Sequence, residues 1–516
     1  MGDALEKQLF TDQEKNENAE DKRKIKEKIS DTHTEELVIA LCGPIGTDIH
    51  LVSDRIGKII EEQYGYTVVH LRLSKFIKDL TKSTDFKNIK DKNENYHKLI
   101  EAGNKLREKH GSSILAELAI NEIAVKRETL KGSKEEKEFK SHRVCYIIDS
   151  IKNVEEFELL RLIYRDIFYF VGVFSNLEVR EKFLEDQGLK KDQVYKLFDR
   201  DSGEELNFGQ KVSNTFVQAD FFLRIDRSTS QAIDNKLNRF LNIVFKTEVI
   251  TPTYQETAMY LATASSGNSA CLSRQVGASI TDIEGEVLSV GWNDVPKSGG
   301  GVYKYSTSDS LGEEDHRCMN LKGGLCFNDE EKRIIREALV NELIDNKLVD
   351  ERNRNDLIDK IQKSRIKELI EFSRAVHAEM HAIIQASQKS GQRVVGGKLF
   401  CTTYPCHNCA RHIIAAGIKE VYYIEPYRKS LALKLHSDSI TEDESKKDYV
   451  RILMYDGVSP KRYLEFFKMS PNSRKKDGKK ISEPKKTSAP KNTVSLQAIP
   501  ILEKTVTKTL KSKQLI

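Results

Sequence analysis

The sequence predicts an α/β protein of two layered domains, an N-terminal parallel sheet followed by a C-terminal α/β/α sandwich. Three observations predict it. Apolar runs of strand length alternate with helix-period segments, a Gly-containing turn follows the first run, and 516 residues exceed what one core holds.

Residues 1–35 are polar and charged, and are expected to be a disordered segment with no core. From Glu36 the pattern changes. LVIALCGPIGT reads as a buried strand running into a turn, and Ile49 to Tyr64 as a helix. The strands TVVHLRL, VCYIIDS and IFYFVGVF follow, separated by helical stretches, which means a parallel sheet over about 36–235. A second domain spans about 250–470. TPTYQETAMYLATASSG opens it as a helix, and QVGASITD and GEVLSVGWN form a hairpin through Asp282, Glu284 and Gly285. Residues 329–375 read as a charged helical insertion. A helix containing Arg374 to Gln388, the strand GGKLFCTT, a helix from Pro405 and the strand EVYYIE complete the order.

Composition bounds the rest. A hydrophobic share of 38% against 32% charged residues fits ordered domains diluted by charged tails. No apolar run approaches the ~20 residues of a membrane span, and charged sequence follows Met1, so a soluble, cytoplasmic protein is expected. Eight scattered cysteines read as thiols or metal ligands. Cys42, Cys145, Cys271 and Cys401 lie in or near apolar strands and are expected in the core. Residues 471–516 carry a net charge of +9, leaving −4 on the rest. This basic tail reads either as a solvated disordered segment or as a grip on nucleic-acid phosphates.

The strongest chemical signal is His377-Ala378-Glu379 followed by Pro405-Cys406-His407-Asn408-Cys409. Zinc accepts one imidazole and two thiolates while keeping a fourth position for water, whose pKa it lowers toward ~7. At a helix start, Cys406 and Cys409 face one direction, and the positive helix end favours their thiolates. Pro405 suits a helix entry. Glu379 is not needed as a ligand and can move protons between water, ring nitrogen and departing ammonia. H-x-E with P-C-x-x-C is the known signature of zinc nucleobase deaminases.

Around this motif, residues 250–470 resemble the deoxycytidylate deaminase family of the cytidine deaminase superfamily, through SRQVGASITD, VGWNDVP and VYYIEPYRKSLA. The resemblance implies deamination of cytosine in a free deoxynucleotide. It assigns Asn293 to the deoxyribose, Ser273 and Arg274 to the phosphate, and Tyr423, with Tyr427 behind it, to the nucleotide. Read from the residues alone, Asn293 is a turn residue, Arg274 a surface charge and Tyr423 a core aromatic. The N-terminal domain resembles a P-loop nucleotide kinase, with GPIGTDIH where GxxxxGK[ST] would stand. Gly43 is kept, but Asp48, Ile49 and His50 replace the second Gly, the Lys and the Ser/Thr, so kinase activity is not expected. Backbone N–H groups around Gly43, Gly46 and Thr47 leave nucleotide binding open, and the domain reads as regulatory or as a structural module.

The layout of a kinase-like domain joined to a deaminase resembles the bacterial anti-phage dCTP deaminases. That likeness implies depletion of dCTP, a homo-oligomer, and silencing until infection by a small RNA or a regulatory nucleotide at the N-terminal domain. His316, Cys318 and Cys326 suggest a second, structural zinc, or simply two loop cysteines. Two other functions compete. One is a cytosine or adenine deaminase acting on RNA or DNA with the tail as a grip. The other is an inactive deaminase fold that senses nucleotides.

Overall fold

A computed structural model describes residues 32–81, 86, 89–131, 142–201, 211–226, 228–305, 315–426, 430–469, 474–480, 482–490, 494 and 498–516. Residues 1–31 and Tyr427 lie outside them.

The N-terminal domain runs β1 (Leu37–Cys42), α1 (Ile49–Tyr64), β2 (Thr67–Arg72), α2 (Ile114–Lys131), β3 (Val144–Asp149), α3 (Val154–Tyr164), β4 (Phe168–Phe174), α4 (Lys191–Asp201), α5 (Val212–Phe216), β5 (Phe221–Arg224) and α6 (Ser230–Phe245), with further helices between. β1 and β4 are apolar throughout, and β3 up to Asp149 at its end, because helices cover both faces, as a parallel sheet requires. Strand order β5-β4-β1-β3-β2 is parallel and places the end of β1 at the sheet's centre. The expected boundary at 235 falls inside α6, whose apolar stripe continues through Phe240, Leu241 and Phe245.

The C-terminal domain runs α7 (Tyr254–Ser266), β6 (Gly277–Thr281), β7 (Val287–Trp292), α8 (Phe327–Asp345), α9 (Arg354–Lys363), α10 (Ala378–Ser390), β8 (Lys398–Thr403), α11 (His407–Ala415), β9 (Glu420–Glu425), β10 (Ile440–Thr441) and β11 (Val450–Met454). Its sheet, β10-β11-β9-β8-β6-β7, is parallel from β10 to β8 and antiparallel in the hairpin. α10 lies so close to β7 that a Cβ on Gly291 would meet Ala382 N at 2.4 Å, so only glycine fits there.

Two features depart from the sequence reading. β12 (Gly457–Val458) leaves the C-terminal domain and pairs antiparallel with β5, completing the N-terminal sheet. The domains are further tied by Glu256. Its buried carboxylate accepts Thr253 N, Val458 N and the Arg239 guanidinium. The expected disordered tail also contains α12 (Ala498–Ser512), which buries Ile499, Val506 and Leu510 beside α2. Those residues recur at helical spacing, and the burial offsets the ordering cost that the charge count alone would leave unmet. Lys475–Lys476 and Lys479–Lys480 pair as a small hairpin around Asp477 and Gly478. Among the described residues, no helix is long and apolar enough to cross a membrane.

Candidate metal centre

His377 and Cys406 occupy the same structural position: each is the N-cap of a helix packed on the C-terminal sheet. His377 precedes α10 and Cys406 precedes α11, both with extended backbone. Pro405 therefore sits one residue before the cap, not at the first helical position. The Cys406 sulfur accepts Cys409 N at 3.4 Å, which turns both thiols to one side of the helix start. His377 Nδ1 lies 3.3 Å from each sulfur. Among the described residues, this is the one His/Cys/Asp/Glu group whose ligand atoms lie within 4.8 Å of one another.

The electrostatics favour a cation. Hydrogen bonding from Cys409 holds the Cys406 thiol down to about 4, with His377 adding to it against the burial that would raise it. Burial opposes the charging of His377, but its hydrogen bond to Cys406 outweighs this and lifts the imidazole to about 9. Burial pushes Cys409 well up. One imidazole and two thiols, one of them already a thiolate, are the donor set zinc prefers in open catalytic sites. Glu379, in the first turn of α10, is 4% exposed. Burial, followed by the Cys406 charge, pushes its carboxyl up, which suits a group that must both take and give a proton.

His377, Glu379 and Cys406 line a cleft of about 700 Å³, within the range of small-molecule sites. Asn293, Ser273 and Arg274 line it too. The amide of Asn293 is engaged at both ends, donating to Arg274 O and accepting from Val276 N, so it also fixes the loop before β6. Arg274 faces Glu425 at 3.5 Å. Tyr423 is 5% exposed and packs edge-on against Tyr404 at 4.8 Å, and Tyr404 is the aromatic residue that lines the cleft. Tyr404 precedes Pro405, and that placement was the signal: a residue before proline is held extended, here beside the metal ligands.

The ligand atoms of His316, Cys318 and Cys326 do not all lie within 4.8 Å of one another. The His316 ring packs on Tyr303 instead, while Cys318 and Cys326 line a small side cavity with Cys271. Cys271 is thus half-buried in a site wall, unlike Cys42, Cys145 and Cys401, which are core.

Comparison with known proteins shows what the chain is similar to. Residues 252–425 match the cytidine and deoxycytidylate deaminase zinc-binding region. The chain is 50% identical over 56 residues to ComE operon protein 2 of Bacillus subtilis, a match covering 11% of this chain and 29% of that one. It is 26% identical over 178 residues to the deoxycytidylate deaminase of Enterobacteria phage T2, covering 34% of this chain and 81% of the phage enzyme. Among solved structures, the cyanophage S-TIM5 dCMP deaminase in complex with dCMP and dUMP is 21% identical, covering 40% of this chain and 99% of that one at a TM-score of 0.24. Shikimate kinase from Bacteroides thetaiotaomicron is 14% identical, covering 40% of this chain and 97% of its own at 0.23.

The loop after β1 is filled by the protein itself. Asp201, at the end of α4, accepts Ile45 N at 2.6 Å, where a P-loop would bind a phosphate oxygen. Lys152 donates to Gly43 O at 2.8 Å and reaches Asp201 at 3.1 Å. Arg180 caps Ile45 O. Gly46 has a φ of +84° and no room for a Cβ beside Arg180 O, while Thr47 N bonds Pro44 O. Gly43, Gly46 and Thr47 therefore shape a loop closed by an internal ion pair. Asp48 caps α1, and His50 pairs with Asp149 at 2.5 Å.

Proposed function

We propose that this chain is a zinc-dependent deaminase of deoxycytidine nucleotides, hydrolysing dCTP and dCMP to dUTP and dUMP with release of ammonia. The observation that carries the reading is the cluster of His377, Cys406 and Cys409, with His377, Cys406 and the buried Glu379 lining one cleft. A pure binder of nucleotides has no use for the carboxyl.

Zinc held by His377, Cys406 and Cys409 would activate water for attack on C4 of the cytosine ring. Glu379 takes the proton of that water and passes it to N3. It then takes the remaining proton of the hydroxyl added at C4 and gives it to the amino group, so that the C4–N4 bond breaks and ammonia leaves a uracil ring. Tyr404 walls the base, Asn293 and Ser273 face the sugar, and the largely closed floor keeps bulk water from Glu379.

Draining deoxycytidine nucleotides limits phage DNA synthesis, and the two-domain layout supports that antiviral role and a homo-oligomeric assembly. The N-terminal domain is the regulatory unit of this reading, the place for an inhibitory small RNA, or for a regulatory nucleotide bound away from the closed loop after β1. Its α5 lines the cleft through Ser213 and Asn214, so whatever binds the domain can act on the site. The test is to incubate the zinc-loaded chain with dCTP, dCMP and a cytosine-containing oligonucleotide and assay uracil. Turnover of the free nucleotides supports the proposal. Turnover of the oligonucleotide alone overturns it.

A further inference from the structure

The cleft is larger than the catalytic floor needs, and its outer wall comes from the helical insertion. Three residues of that insertion matter. Asn328, in the first turn of α8, donates its amide to Leu369 O at 3.1 Å and so ties α8 to the turn Arg365–Glu368. It is 8% exposed, and its Oδ1 finds no hydrogen-bond partner among the described residues. A buried acceptor left in that state costs free energy unless a donor arrives.

One turn on, Lys332 has a side chain only 15% exposed. Its ammonium donates to Lys367 O at 3.2 Å and stands 3.5 Å from Asp329, whose own side chain is 72% exposed. Such a long, solvent-screened pair is weak, so a second anion can share the ammonium at little cost. Lys367 is exposed on the same wall, while its neighbour Glu368 faces Arg365. The wall thus offers two ammonium groups and one unfilled acceptor to a ligand whose other end reaches the metal centre.

We infer that the insertion is the sugar-and-phosphate-reading wall of the active site: Lys332 and Lys367 bind the phosphate chain of the nucleotide, and Asn328 Oδ1 accepts a hydrogen bond from the sugar hydroxyl. This rests on the deaminase reading and sharpens it, because it makes phosphate number a property of the insertion. Ser213 and Asn214 of α5 stand at the same cleft, so a nucleotide held by this wall lies against both domains.

The experiment compares the zinc-loaded full chain with Lys332→Gln, Lys367→Gln and the double variant on dCTP, dCMP and deoxycytidine. Lysines in this half-exposed wall are removable without loss of fold, and zinc content and melting temperature verify that. The double variant is expected to raise KM for dCTP about tenfold, for dCMP less, and for deoxycytidine not at all, with kcat kept. Raising salt is expected to raise the wild-type KM for dCTP and to leave the double variant's nearly flat. Asn328→Ala, which removes the acceptor without adding charge, is expected to weaken all three substrates alike, since each carries the sugar. Equal effects of the lysine variants on nucleoside and nucleotides, or none, overturn the inference while leaving the deaminase intact. A wild type inert on every cytosine compound would instead remove the function beneath it.

Discussion

The guanidinium of Arg239 holds the fully buried carboxylate of Glu256 at 2.7 Å, joining the last helix of the N-terminal domain to the first of the C-terminal one. The same carboxylate caps α7 and fixes β12, so one side chain serves three elements. Breaking a buried pair by removing one partner leaves the other groups unsatisfied. Glu256→Ala is expected to cost about 3 kcal/mol in urea unfolding and to merge poorly with any single-domain transition. A loss within the range of an ordinary surface substitution would show that the tie is not structural.

Removal of metal should separate chemistry from fold. Dialysis against a strong chelator is expected to abolish deamination and stoichiometric zinc to restore it, while the core strands keep their far-ultraviolet signal. Cys409→Ser is expected to lower zinc content below one per chain, because a serine hydroxyl replaces a thiolate ligand. Retention of one zinc by that variant would point to a different ligand set.

The loop after β1 should be silent toward ATP. Asp201 and Lys152 already satisfy its backbone, so calorimetric titration of the full chain with Mg-ATP is expected to show no binding and no phosphate release. Asp201→Ala is expected to destabilise the domain by about 2 kcal/mol, since it strands the Ile45 amide and the Lys152 ammonium. Tight ATP binding by the wild type would contradict the closed loop.

Docking of α12 should depend on pH. Arg127 of α2 donates to both Glu36 and Glu503, and Tyr164 of α3 donates to Glu503, so two buried carboxyls share one cation. Burial raises Glu503 from 4.5 to about 7, against the pull of Arg127. An acid whose folded pKa is raised favours the folded state below its unfolded value, and that contribution is lost as pH climbs through about 7. Protease resistance of the C-terminal segment is therefore expected to fall between pH 5 and pH 8. Glu503→Gln is expected to flatten the profile. An unchanged slope in that variant would assign the effect elsewhere.

Much of this was legible because the decisive signals are local. LVIALC and VCYII are apolar runs and are buried strands; Ile49–Tyr64 is the helix its period announced; and H-x-E with P-C-x-x-C lands on two helix caps that bring the ligands together. What escaped depends on partners distant in sequence. Asp201 reaches Ile45 across 156 residues, and β12 pairs with a strand more than 230 positions earlier, so neither leaves a local pattern. Tyr423 and Tyr404 were equally aromatic on paper. Which of them faces the cleft is decided by strand register and the Pro405 turn.

The most direct measurement is the ammonia and the dUTP or dUMP formed from dCTP and dCMP by wild type and Glu379→Ala, with zinc quantified in both. The wild type is expected to release the two products in equal amounts, and the variant to keep its zinc while losing roughly 10²–10⁴-fold in rate. Full activity in Glu379→Ala, or none in the zinc-loaded wild type, would contradict the account.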